Sequence, residues 1–89
     1  MKRSEVYALI DGERDYQDKQ WPVEAYGKAP GVSASPEGFL LVIEKLLSDA
    51  RTAWVTTPLP KDSVEAMNFI RKIGGTAVRA MEQHGAPAR

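Results

Sequence analysis

Apolar positions along this 89-residue chain fall into three runs of helical period, separated by two stretches that have none. In the first run Val6, Leu9 and Ile10 share a helix face, and the run extends from about Ser4 to Gln20. Ser4 is the expected N-cap, with Glu5 in the first turn, where the helix dipole favours a negative charge. Pro22 disfavours helical backbone at Trp21 and so closes the helix. The second run opens with "SPEG": Ser35 as N-cap, Pro36 in the first helical position and Glu37 in the first turn predict a helix over 36–54. Phe39, Val42, Ile43, Leu46, Ala50 and Ala53 follow at helical spacing, and Leu40, Leu41 and Leu47 widen the stripe to most of the girth. Such a helix is central in its bundle or covered by a second chain.

The third run, 62–84, begins with Asp62 and Glu65 at capping-box spacing, Ser63 being the competing cap. Ala66, Ile70, Ile73, Ala77, Met81 and His84 mark one face, and Gly85 followed by Pro87 supplies the stop. Residues 21–35, "WPVEAYGKAPGVSAS", have no period and hold two Pro, two Gly and two Ser. They read as a loop, and unstructured loops of that length tend to be functional or disordered. The connection between the second and third runs is short and Pro-rich. The expectation is therefore an all-α, single-domain protein of three helices, a C-terminal antiparallel hairpin with the N-terminal helix packed across it.

Composition sharpens this picture by exclusion. A chain this short buries only about 60–65% of its unfolded surface, so helix packing or self-association must add stability. With no Cys there are no disulfides and no thiolate ligands, and a single His, His84, rules out a site of several imidazoles. No metal site, catalytic residue or cofactor is expected. His84 reads as a helix-terminal residue near the last carbonyls. Twelve basic and twelve acidic residues give no global pull toward long nucleic acid. They are unevenly placed: residues 1–37 hold 5 basic and 7 acidic groups, and residues 38–89 hold 7 and 5. That asymmetry suits pairing of copies or capture of a small anion, though scatter on solvated faces explains it equally. No run reaches the ~18 apolar residues a membrane span needs, and "MKRSEV" is followed by no apolar core or cleavage site. A cytoplasmic protein is expected.

The stretch "LIDGERDYQDKQWP" carries the first polar puzzle. In an unbroken helix Val6, Ile10, Glu13, Gln17 and Trp21 lie on one stripe, so two apolar residues give way to a carboxylate and an amide. A buried carboxylate needs a cation, and Arg14, Arg71, Lys72 and Arg79 are the candidates. The alternative is a kink at Asp11–Gly12 that rotates the stripe to Leu9 and Tyr16 and leaves Glu13 in solvent. A second puzzle is "IRKIGGTAVR", where Gly74 and Gly75 together cost about 1.5–2 kcal/mol against alanines in mid-helix. With Ala77 and Ala80 they form a small-residue patch flanked by Arg71, Lys72 and Arg79. The patch is either an anion-binding crevice or an internal helix crossing. Trp21 and Tyr26, with Lys28 nearby, could stack on a base and hold a phosphate, or simply pin the loop to the core.

"IDGERDYQDKQW" and "IRKIGGTAVRAMEQHGAPAR" resemble the ends of small, uncharacterised helical proteins encoded by phages and prophages. The same "ER…Q…W" pattern is loosely similar to phage relatives of the MazG-type nucleotide pyrophosphohydrolases, an all-α family that holds Mg²⁺ on Glu-Glu-x-x-Glu followed by Glu-x-x-Asp. This chain lacks that motif. Asp11, Asp15 and Asp18 share a face, while Glu44 and Asp49 are five residues apart and do not. Three functions follow as expectations. The first is a non-enzymatic phage accessory protein, a homo-oligomer (dimer or higher) that binds a small phosphorylated ligand such as a cyclic-nucleotide immune signal. Its contacts would be Glu13, Gln17, Trp21, Tyr26, Lys28, Arg71, Lys72 and Arg79. The second is an interaction module that inhibits a host enzyme. The third is a MazG-like Mg²⁺-dependent hydrolase.

Overall fold

The computed structural model describes residues 1–20, 35–59 and 63–89. They form three helices and no strand: α1 (Arg3–Gln20), α2 (Pro36–Thr56) and α3 (Val64–His84). The ring of Phe39, near the start of α2, meets that of His84, the last residue of α3, edge-on at 6.0 Å. The hairpin is thus antiparallel, as expected. α1 packs across it, on α3.

The helix ends show which capping signals act. Ser35 is extended and its hydroxyl accepts from the Gly38 amide at 3.1 Å, with Pro36 behind it, as the sequence predicts. α2 runs two residues past 54 to Thr56, where Thr56 and Thr57 hydroxyls donate to the carbonyls of Thr52 and Ala53. Ala53 is among the last four carbonyls, which the helix leaves without an amide partner, and the Thr57 hydroxyl supplies one. Ser4, by contrast, is not a cap. α1 begins at Arg3, and the Glu5 carboxylate accepts from the Lys2 amide at 3.2 Å, which is half of a capping box. At α3 the Ser63 side chain makes no cap bond. Asp62 lies outside the described residues. Gly85 ends α3 with φ +74°, a conformation that favours glycine, and its amide donates to the Met81 carbonyl at 2.7 Å.

The central helix is α3, not α2. Both other helices pack on α3, which α1 and α2 approach from different sides. Its best-buried residues are accordingly Gly75, Thr76 and Arg79, whereas Ile70 and Met81 of the expected single stripe are about half exposed. Thr76 spends its hydroxyl on the Lys72 carbonyl at 2.9 Å, so its burial leaves no donor unmet. α2 buries only Phe39 and Ala50, and Leu40, Leu41 and Leu47 remain exposed. Among the described residues these are the only buried apolar side chains. The described apolar core is small.

α1 stays unbroken through Gly12 and rests on the glycine pair. A Cβ built on Gly74 would stand 2.6 Å from Ile10 Cδ1, and one on Gly75 would stand 2.6 Å from Glu13 Cγ and 2.9 Å from Gln17 Nε2. The small-residue patch is therefore an internal crossing, occupied by α1. Gly12 and Gly75 should respond oppositely to alanine. At Gly12 an added methyl meets nothing within 4 Å, so Gly12→Ala should raise Tm by about 4–8 °C through helix propensity. Gly75→Ala should lower Tm in differential scanning calorimetry, because the new methyl must displace the pinned Glu13. A Gly75→Ala protein more stable than the parent would refute the close crossing.

Candidate functional site

Ile10, Glu13, Arg14 and Gln17 fall at i, i+3, i+4 and i+7, so one face of α1 changes from apolar to polar as it crosses α3. Glu13 is buried there, only 7% exposed, and so does not point to solvent. Leu9 and Tyr16, which a kinked helix would have turned inward, are about half exposed. The kinked alternative fails. A carboxylate out of water requires a cation, and Arg71 provides it: Nε donates to Glu13 Oε1 at 2.9 Å. The Arg71 side chain is 41% exposed, so the pair has one dry end and one wet end. Neither Arg71 Nη group hydrogen-bonds to any described residue.

Arg14 is the more heavily committed neighbour. Its Nε and Nη2 donate in a fork to the two Glu82 oxygens, both at 2.8 Å, and Nη1 donates to Gln17 Oε1 at 3.2 Å. Asp18 lies 3.1 Å from Nη2. The fork is the strongest form of arginine–carboxylate bond, and it fastens the second half of α1 to the end of α3. Hydrogen bonding to Arg14 holds the Glu82 carboxyl below its ordinary range, helped by the charges of Arg14 and Arg79 and opposed by desolvation. The sequence names Arg14 as a partner for Glu13. The structure gives it to Glu82 instead.

The remaining expected ligand residues divide. Lys72 is half-buried, with Nζ 5.1 Å from the centre of the Phe69 ring. Arg79 is buried rather than solvated, and eight residues of helix rise place it about 12 Å along α3 from Arg71. Gln17 lies over Gly75 and is held by Arg14. Trp21, Tyr26 and Lys28 lie outside the described residues. Thus Glu13, Arg71 and Lys72 come together at one cleft; Gln17, beside Glu13 over Gly75, and Arg79 do not line it.

The three line an open cleft of about 520 Å³ between α1 and α3, together with Leu9, Gly12, Tyr16 and Asn68. A second hollow of about 510 Å³ continues from Leu9, Asn68 and Arg71 toward the helix N-termini, walled by Val6, Met67 and Ile70. Each volume suits one small molecule. Asn68 and Tyr16 were not anticipated as lining groups. The former is visible in the sequence only as a residue three before Arg71, on the flank the periodicity assigns to solvent. With Glu13 neutralised by Arg71, Lys72 leaves the cleft with one net positive charge. Apolar walls beside a cationic rim favour a ligand with an anionic end and a flat or apolar body.

Among the described residues no three acidic or imidazole groups are arranged to hold a metal ion. Asp11 and Asp15 are exposed, and Asp18 faces Arg14. Among the described helices none is long and apolar enough to cross a membrane. No protein-family model matches the chain, and searches of curated proteins and of solved structures return no match either.

The Arg14–Glu82 fork implies an acid-sensitive seam. Because the Glu82 carboxyl is lowered in the folded state, its stabilising effect is complete above its ordinary value of 4.5 and is lost as pH falls through the lowered one. Tm should therefore drop between pH 5 and pH 3, and the drop should be smaller in Glu82→Gln. Equal pH profiles for the two proteins in thermal unfolding would contradict this account.

Proposed function

We propose that the protein is a non-enzymatic accessory protein of a phage or prophage that binds a small phosphorylated ligand, of the cyclic-nucleotide kind, in the α1–α3 cleft. The observation that carries this reading is the orientation of Arg71. Glu13 holds the guanidinium through Nε, which fixes the plane of the group while both Nη donors stay uncommitted by described residues at an open cleft. A fixed fork of donors suits a phosphate oxygen pair, and Lys72 adds a second positive charge beside it. Tyr16 and Leu9 offer the flat, apolar side that a base or sugar needs. Buried Glu13 then acts as a positioning residue, and Arg71 and Lys72 make the contacts.

Isothermal titration calorimetry with a panel of cyclic di- and trinucleotides tests the reading. At least one should bind. Lys72→Ala, which leaves the Glu13–Arg71 pair in place, should weaken binding several-fold. The double change Glu13→Ala, Arg71→Ala removes the buried carboxylate along with its partner, and should weaken binding about tenfold to a hundredfold while far-UV circular dichroism stays helical. Absence of heat with every member of the panel would remove the proposal, as would full affinity in the double variant.

A further inference from the structure

We infer that the exposed face of α2 is the contact between two copies of this chain, which pair antiparallel about an axis near Leu47. This inference stands apart from the ligand reading. Leu40, Glu44, Leu47, Arg51 and Val55 recur every three to four residues, so they fall within about a third of the helix circumference. All are exposed, Leu40 at 65% and Val55 at 74%, on a protein whose described residues bury only two apolar side chains. The face is thus a strip with aliphatic groups that remains exposed beside the small described core.

The charges within the strip say what covers it. Glu44 lies three residues before Leu47 and Arg51 four residues after it, so the order along the helix is acid, leucine, base. Neither forms an ion pair or hydrogen bond with any described residue. They stand about 10 Å apart along the axis, too far to neutralise one another within one chain. A copy laid antiparallel over Leu47 sets its Arg51 beside Glu44 and its Glu44 beside Arg51, forming two equivalent ion pairs at once. Leu47 meets Leu47 at the axis, and Leu40 of each chain approaches the Trp54–Val55 end of the other. Self-complementarity of this kind is the requirement for a two-fold interface, in which residue i meets j and j meets i. A partner with another charge pattern would have to match acid, leucine and base separately. A second copy matches them by symmetry.

Size-exclusion chromatography with light scattering tests the pairing. The full chain should elute at about twice its 9.8 kDa mass. Leu47→Lys should give a helical monomer, since the site is half exposed and outside the described core. Glu44→Arg and Arg51→Glu should each raise the dimer dissociation constant at least about tenfold, and the combined swap should restore it to near the parent value. That rescue is diagnostic, because only an intermolecular pair brings the two residues together. A monomer at every concentration overturns the inference. So does a dimer that Leu47→Lys leaves intact, or one in which the combined swap is no better than the single changes. The Glu13→Ala, Arg71→Ala protein should still dimerise, which keeps a failed interface distinct from a failed ligand site.

Discussion

What the rest of this structure depends on is the space left by the missing side chains at Gly74 and Gly75. At Gly75 an alanine would place its Cβ 2.6 Å from Glu13 Cγ, midway along that side chain, so α1 could not seat as it does; at Gly74 the atom met at 2.6 Å is the movable end of Ile10. That close seat has a helix-propensity cost of about 1 kcal/mol per glycine relative to alanine. In exchange, Glu13 and Gln17 lie flat against the α3 backbone, and their head groups are carried to Arg71 and Arg14. Were α1 displaced outward by one methyl layer, Glu13 would lose its dry surroundings and Arg71 its fixed orientation.

The two helix–helix seams are consequently of different chemical kinds. The α2–α3 seam is apolar and aromatic, built on Phe39, Ala50 and the Phe39–His84 ring contact. Its strength follows buried area and is not weakened by the charge screening that salt imposes. Across the α1–α3 seam the described hydrogen bonds are those of two arginine–carboxylate pairs, Arg71–Glu13 and Arg14–Glu82. Each pair has one buried and one exposed member, so it adds little net stability over apolar packing, but removing the exposed partner strands the buried one, and the pairs thereby specify a register. α1 is therefore located more by polar matching than by grease. Such an arrangement also makes the cleft beside it responsive to charge: an anion that engages the Arg71 Nη groups acts on the same guanidinium that positions α1.

Much of the fold is legible in the residues. "SPEG" fixes the start of α2, Gly85 fixes the end of α3, and the Pro-rich connection dictates an antiparallel hairpin. Which helix is central was not legible, for a physical reason. Hydrophobicity all round α2 reports that something covers it and not which element does, whereas α3 takes its central place through glycine, threonine and arginine, residues that carry no apolar signal. Ile70 and Met81 are about half exposed, so a single periodic stripe overstates their burial. The Glu13 puzzle was readable as a choice between inward and outward. Only coordinates supply Arg71 as its partner, fifty-eight residues away in sequence. Arg14 was readable as a cation near that face, but the forked match with Glu82 depends on the crossing geometry, which no local pattern encodes. Trp21, Tyr26 and Lys28 lie outside the described residues.

The placement of the two proposed surfaces has a further consequence. The cleft lies on the α1 side of α3, lined by Arg71 and Asn68, while the Leu40–Leu47 strip lies on α2 and takes part in neither hollow of the cleft. A pair formed through α2 therefore leaves both clefts open, one per copy, and needs no contribution from a partner to complete either. The path between them runs through α3, against which both other helices pack and whose buried Gly75 meets α1. Any influence of pairing on ligand affinity would have to travel through that helix as a shift or rotation, because no described side chain bridges the strip and the cleft. With a small apolar core and glycines at the crossing, α3 is the element on which such a shift would be registered, and the Arg71–Glu13 bond is the contact that would report it.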